Sequence, residues 1–323
     1  MRLPDRRHLA RMQSLVALAA VVVALSLLSD KFRTFDNGVN ILRQSAVNLC
    51  LSIGMTLVIL SGGIDLSVGS VLALSGAIAG GLLKYGLPLP WAHVLLEFTP
   101  LGAAVAGVLV GAAMGCFNGL TITRLKLPPF VATLGMLSIA RGLTMLYTNG
   151  QTINGLGPDF GSLGTGQFLR VPTLAWIAAA LAAAFTLVTT STRFGRHIYA
   201  VGGNERAAAL SGLNVPRIKL AVYTIGGALA GVAGLLIAAR LDAATTDAGA
   251  GYELDSIAAV VIGGTSLSGG RGSIAGTVLG CLIIGVLNNG LVLLGVSPFW
   301  QQVVKGLVII AAVAVDRASR NES

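Results

Sequence analysis

The chain has 323 residues, of which 54% are hydrophobic and only 11% charged, with a mean hydropathy of +0.81 and a formal net charge of +9. A soluble domain carries about 25% charged residues, so so few charges exclude a water-soluble globule and turn most of the surface toward lipid. Backbone polar groups in hydrocarbon must bond internally, which leaves only helices or a closed barrel. Barrel strands would alternate apolar and polar residues, whereas residues 15–28 and 174–188 are apolar all round. The expectation is an all-α integral membrane protein, a polytopic helical bundle.

Taken in chain order, apolar runs predict about ten spans: 14–29, 41–61, 66–83, 101–122, 130–147, 172–190, 219–239, 254–264, 274–294 and 299–315. The first follows Arg2, Arg6, Arg7 and Arg11, and no small-x-small site lies near Ser29 and Asp30, so it reads as an uncleaved anchor. The eighth is short for a crossing, and 62–69 reads equally as a loop or a kink.

Charge sets the orientation. With the N-terminus inside and ten alternating spans, fourteen cations fall inside: Arg2, Arg6, Arg7, Arg11, Arg124, Lys126, Arg193, Arg196, Arg206, Arg217, Lys219, Arg271, Arg317 and Arg320. Seven fall outside (Lys31, Arg33, Arg43, Lys84, Arg141, Arg170, Arg240), and Lys305 is left in mid-span. That asymmetry obeys the positive-inside rule. The excess of +9 is therefore a topology signal, and nucleic acid drops out as a partner. Acidic residues lean the other way, with Asp242, Asp247, Glu253 and Asp255 in one outer loop.

Two polar stretches interrupt the runs. Residues 148–170 are Gly-rich and fall outside. Residues 191–218 form the longest basic segment and fall inside. Within the latter, Asn204 can cap a helix over Glu205, Arg206, Ala207, Ala208, Ala209 and Leu210, with Ser211 and then Gly212 at its end. A lone helix this short is marginal in water, so the base of the bundle or a docked partner must hold it.

Small residues recur at four-residue spacing: Gly107, Gly111, Gly115; Gly226, Ala230, Gly234; and Gly272, Gly276, Gly280. Such rows let helices approach closely in lipid, and packing within one subunit is the expected use. There is also an internal echo. Gly62-Gly63-Ile64-Asp65-Leu66-Ser67-Val68-Gly69 matches Gly263-Gly264-Thr265-Ser266-Leu267-Ser268-Gly269-Gly270 at five of eight positions. It reads either as paired helix breaks at a transport site or as two similar Gly-rich turns.

Catalytic chemistry finds no support. Leu267-Ser268-Gly269-Gly270-Arg271 looks like an ATPase signature loop, but no phosphate-binding loop accompanies it. Gly270-Arg271-Gly272-Ser273-Ile274-Ala275 fits a dinucleotide fingerprint, yet 276–315 contains no acidic residue to complete it. Cys50, Cys116 and Cys281 sit apart in apolar runs, and His8, His93 and His197 lie at a terminus and in loops without ligand or triad spacing. No cofactor, metal or enzymatic role is expected.

Polar residues inside the spans carry more weight, because a charge in mid-span costs about 3 kcal/mol on insertion scales. Arg141 and Lys305 stand out among them, and Lys305 therefore needs a partner or a wet cavity. Asn48, Asp65, Asn118, Asn288 and Asn289 are candidates for a translocation path, or else amides that glue helices together. A polar, nearly uncharged route suits a neutral, hydroxyl-rich solute. With Asp65 the one candidate buried acid, the energy must come from a partner.

Over nearly its whole length the chain resembles the permeases of bacterial ABC importers for monosaccharides, typified by the ribose permease. The matching stretches are Ser61-Gly62-Gly63-Ile64-Asp65-Leu66-Ser67-Val68-Gly69-Ser70, Phe130-Val131-Ala132-Thr133-Leu134-Gly135-Met136, residues 193–204, residues 251–276 and Asn288-Asn289-Gly290-Leu291. The resemblance implies a type II ABC importer-like bundle forming one permease domain over 1–323, in the bacterial inner membrane with both termini cytoplasmic. It implies a second copy of the chain, an ATP-binding subunit with tandem nucleotide-binding domains and a periplasmic sugar-binding protein. It makes Asn204, Glu205, Arg206, Ala207, Ala208, Leu210, Ser211 and Gly212 the coupling helix seated in the ATPase, within the loop 191–218. The alternatives are a permease of the same class for branched-chain amino acids or nucleosides, and a stand-alone secondary carrier.

Overall fold

A computed structural model describes residues 6–89 and 93–321; Arg2, the first of the expected inner cations, lies outside them. Thirteen helices occur among the described residues: α1 Arg6–Leu28, α2 Phe35–Leu60, α3 Val68–Tyr85, α4 Pro100–Arg124, α5 Pro129–Thr148, α6 Pro158–Thr165, α7 Thr173–Ser191, α8 Arg193–Gly203, α9 Glu205–Leu210, α10 Val215–Leu241, α11 Tyr252–Ile262, α12 Ile274–Leu293 and α13 Pro298–Asn321. Each of the ten apolar runs maps onto one of them. Polar residues just upstream explain several starts, since a side-chain oxygen accepts an otherwise orphaned backbone N–H. Thr34 caps α2 through Asn37 N, Thr99 caps α4 through Gly102 N, Asn214 caps α10 through Arg217 N, and Ser273 caps α12 through Gly276 N.

Seven helices among the described residues are long and apolar enough to cross a bilayer: α2, α3, α4, α5, α7, α10 and α12. The protein is a multi-pass helical membrane protein. The expected ten spans need qualification. In α1 the apolar part is the shorter stretch Ser14–Leu28. Helix α11 has 11 residues, about 16 Å at 1.5 Å per residue, roughly half a hydrocarbon core. Residues 148–170 hold the short α6 and the strand β3 (Ile153–Asn154), which pairs antiparallel with β6 (Ala243–Ala244). Hairpin strands β1 (Leu87–Leu89) and β2 (Val94–Leu96) pair, as do β4 (Gln167–Phe168) and β5 (Val171–Pro172).

The chain divides into two interleaved compact units. One comprises 1–62, 178–213 and 254–323; the other comprises 63–177 and 214–253.

In the second unit α10 is the axis, packed against α3, α4 and α6. Glycines decide how closely. A Cβ on Gly111 would strike the Gly227 carbonyl oxygen, one on Gly227 would strike that of Gly111, and one on Gly115 would strike that of Tyr223. On the other side of α10, a Cβ on Gly234 would meet the Leu72 carbonyl of α3. The row Gly107, Gly111 and Gly115 packs helices within the chain as the spacing predicts, but on α10 the glycines that meet α4 are Gly227 and Gly231, one residue on from the expected Gly226 and Ala230. At one end Lys84 donates to the Asn154 carbonyl beside the β3–β6 pair, so segments that the charge rule puts on one side meet.

In the first unit α12 packs on α2 and α1. Gly280 of α12 lies against the Ala259 carbonyl of α11, and Gly276 against the Gly263 carbonyl just past its end. Thr56 and Thr277 share a hydrogen bond of 2.7 Å across the α2–α12 contact. The ends of α2, α8 and the 263–273 turn meet here too, through Gly270 N donating to Leu60 O at 3.0 Å. The charge rule likewise puts these three segments on one side.

Residues 61–67 form a true break, with α2 ending at Leu60 and α3 starting at Val68. Its echo is real in conformation but shifted by one residue. Gly62 (φ +82°) and Gly264 (φ +85°) are the left-handed residues that end α2 and α11, and each N–H returns to the carbonyl three residues back. Glycine takes that conformation at least cost.

Candidate functional site

The break at 61–67 is held by side chains instead of helical hydrogen bonds. Asp65, 2% exposed, accepts from Ser67 N at 2.8 Å and from Ser67 Oγ at 2.6 Å. Asn118 of α4 donates through Nδ2 to Ser67 Oγ at 2.9 Å. The Ile64 carbonyl faces Thr133 Oγ1 of α5 and the Tyr223 hydroxyl of α10, each at 3.4 Å. Three helices of the second unit thus converge on one non-helical segment, and two of the candidate path residues, Asp65 and Asn118, sit in one network.

Because Asp65 works as an acceptor, two substitutions should part company. Asp65→Ala strands two buried donors and should cost about 2 kcal/mol; Asp65→Asn keeps an acceptor oxygen and should cost markedly less. Thermal unfolding in detergent measures the difference, and equal losses would show that the charge matters, not the acceptor.

The other candidates lie in the first unit and do not form one cluster. Asn289 Nδ2 donates to Asn37 Oδ1 at 2.9 Å, and Asn37 Nδ2 to the Phe32 carbonyl at 3.2 Å, so this amide ties α12 to the start of α2. Asn288 Nδ2 approaches Asp255 Oδ2 at 3.5 Å. Asn48 is buried with its Oδ1 unpartnered.

Lys305 has the partner its position in mid-span demanded. Its Nζ lies 2.9 Å from Asp255 Oδ2, linking α13 to α11. The expected outer-loop cluster of four acids is not one loop: Asp242 and Asp247 precede α11, whereas Glu253 and Asp255 belong to that helix. Asp255 lies in the first turn of α11 and is buried, where the helix dipole favours an anion. Arg141, the other intramembrane cation, donates through Nη1 to the Thr246 and Ala248 carbonyls, at 2.6 and 3.1 Å. It thereby holds the 245–251 segment against α5.

The basic segment carries α9, capped as expected, and before it α8, which the sequence reading did not anticipate. Thr192 accepts from Gly195 N, and Asn204 Oδ1 accepts from Ala207 N at 2.9 Å. Leu213 N reaches back to the Ala208 carbonyl at 3.1 Å, and Gly212 turns the chain at φ +84°, which is the glycine ending of a helix. Asn204, Glu205, Arg206, Ala207, Leu210, Ser211 and Gly212 are exposed. Ala208 is not, at 5%, so it anchors α9 while Leu210, at 84%, stands out from it. Immediately after α9 the chain passes from the first unit into the second. Histidine 197 lies on α8 and not in a loop.

Sequence reasoning missed Asp255 as a buried ligand, and it missed Tyr199 and Gly202 of α8 as contacts to the 263–273 turn. A usable signal existed only for Asp255: an unpaired lysine in one apolar run calls for an acid beside another.

A family model described as the permease component of the branched-chain amino acid transport system matches residues 37–313, which spans α2 through most of α13. The chain belongs to this family of transport permeases. Among curated relatives of this permease, the ribose import permease protein of Escherichia coli K12 is 48% identical over 95% of the chain and 94% of its own length. The ribose import permease protein of Bacillus subtilis 168 is 46% identical over 94% and 91%. The D-allose transport system permease protein of Escherichia coli K12 is 41% identical over 93% and 90%. No solved structure matches this permease. The kinship with ribose-type permeases that the motifs suggest is therefore borne out along the full bundle.

Proposed function

We propose that this permease is the membrane-spanning subunit of an ATP-driven importer that carries a monosaccharide, a ribose-like pentose or a hexose, across the bacterial inner membrane. The observation that carries this reading is identity of 44–48% to ribose import permeases of three bacteria over at least 91% of their length. The whole chain acts as one permease domain, paired with a second copy, with both termini in the cytoplasm. A separate subunit with tandem nucleotide-binding domains hydrolyses ATP, and a periplasmic binding protein delivers the sugar. Asp65, Asn118, Asn48, Asn288 and Asn289 contribute to the polar route as the two faces alternate in access. Reconstitution with the ATPase subunit and binding protein, followed by uptake of labelled ribose, allose, galactose and leucine, tests the reading. Uptake of leucine alone would favour the second reading, an amino-acid permease, which the description of the matched family supports.

Helix α9 is the handle for the ATPase. Its support is geometric: a short capped helix, anchored at Ala208 and exposed elsewhere, Arg206 and Leu210 included. The informative variant is therefore Arg206→Glu with Leu210→Asp, since a change at Ala208 would break the anchor. Losing a charged and an apolar contact at an interface costs more than 1 kcal/mol each at hot spots, so uptake should fall at least about tenfold while membrane insertion persists. Wild-type uptake in the double variant would remove α9 from the interface.

A further inference from the structure

We infer that Gly202, near the end of α8, forms a side-chain-free junction with the end of α2 and the 263–273 turn, and that this junction passes movement of α8 and α9 into the bundle. The inference rests on the reading of α9 as the ATPase's handle. All three parts lie in the first unit. Gly270 N donates to the Leu60 carbonyl at 3.0 Å. A Cβ built on Gly202 would collide with that same Leu60 oxygen and lie 2.6 Å from Gly270 N, so α8 touches both segments backbone to backbone. From the other side, a Cβ on Gly269 would lie 2.9 Å from the Gly202 carbonyl and 3.0 Å from Gly62 Cα. Tyr199, one turn earlier on α8, donates its hydroxyl to the Gly272 carbonyl at 2.9 Å. Ile198 and Val201 on the same face are buried.

Two contrasts make this a joint and not general tightness. The backbone of the next residue, Gly203, also lies close to Gly270, but its own Cβ would enter open space, so of these two glycines only Gly202 has no room for a side chain. The two Gly-rich turns of the sequence echo also gain a shared reason, because Gly62 of one approaches Gly269 of the other where Gly269 and Gly270 meet Gly202. Flexible side chains between elements absorb a displacement, whereas packed backbone is poorly compressible and moves together. A shift of α9 by the ATPase, carried through α8, would reach the start of the 61–67 break and the 263–273 turn directly. Interfaces of this kind turn small shifts into discrete rearrangements.

The test uses the permease reconstituted with its ATPase subunit and binding protein. Hydrogen exchange is followed in 263–273 with and without a non-hydrolysable ATP analogue, and labelled D-ribose uptake is measured per ATP hydrolysed. In the wild type the analogue should change exchange in 263–273. In Gly202→Ala that response should vanish and the uptake ratio fall about tenfold, within the usual span of coupling between sites; Gly203→Ala should behave as wild type. Should Gly202→Ala fail to insert, Tyr199→Phe removes one hydroxyl only and should lower the ratio several-fold. A wild-type exchange response in Gly202→Ala, or a wild-type ratio in Tyr199→Phe, overturns the inference. If the wild type moves no ribose yet its exchange response is present and is lost in Gly202→Ala, the sugar assignment fails and the junction stands.

Discussion

Replacing Lys305 with methionine is expected to cost about 3 kcal/mol, because removing one partner of a buried pair leaves the other charge uncompensated. Asp255 has 8% of its side chain exposed, and among the described residues its Oδ2 meets Lys305 and, at 3.5 Å, the Asn288 amide. The opposite substitution is not equivalent. Lys305 keeps 28% of its side chain exposed, and a long amine can bend toward water while its methylenes stay in contact. Asp255→Asn should therefore be the milder single change. The double variant Asp255→Asn with Lys305→Met removes both charges and should regain most of the loss, since neutral replacements of buried pairs are often tolerated. Thermal unfolding of the three variants in detergent checks the order: Lys305→Met lowest, Asp255→Asn intermediate, the double variant near wild type. A double variant as unstable as Lys305→Met would show that the lysine contributes packing and not charge compensation.

That pair also marks where the sequence stops being readable. The unpaired Lys305 is visible as a cost in an apolar run, but its partner lies fifty residues earlier, at the edge of the short eighth run. Gly249 and Gly251, at φ +71° and +81°, end the preceding loop, so Asp255 looks like one more acid in a polar segment. The path candidates fail for a related reason. A buried asparagine has the same local signature whether it lines a route or joins two helices, and the pairings of Asn289 with Asn37 and of Asn118 with Ser67 are tertiary facts. Local chemistry was readable where it is self-sufficient. Asn204 and Gly212 bound α9 because capping involves neighbours in the chain, and the apolar runs become helices because no other structure satisfies their backbone in lipid. The strand pair Ile153–Asn154 with Ala243–Ala244 is too short and too far apart in sequence to leave such a trace.

Adding one methyl at Gly111 or Gly227 should be among the most damaging small changes available to the protein. Apolar driving force is absent between helices in lipid, so close backbone approach supplies much of their attraction. At this crossing each Cβ would land on the other glycine's carbonyl oxygen, and the Gly111 Cβ would also lie 3.0 Å from Gly231 N and Cα. These are backbone atoms and cannot rotate away, so α4 and α10 must move apart, loosening the contacts at Gly115 and Gly107 as well. Overpacking of this kind costs about 1–3 kcal/mol, occasionally more, and here the loss spreads along the interface of a 27-residue helix. The expected result is a lower unfolding temperature and reduced accumulation in the membrane for Gly111→Ala and for Gly227→Ala. Gly142→Ala in α5, where the new Cβ meets nothing within 4 Å, should instead be neutral or gain up to about 1 kcal/mol from helix propensity. The two damaging changes should not add. Once one methyl has separated the helices, much of the room the second needs exists already, and contacting sites show coupling of about 0.5–3 kcal/mol. Strict additivity in the double variant would mean that each site relaxes alone, and that the crossing is not the shared constraint its geometry implies.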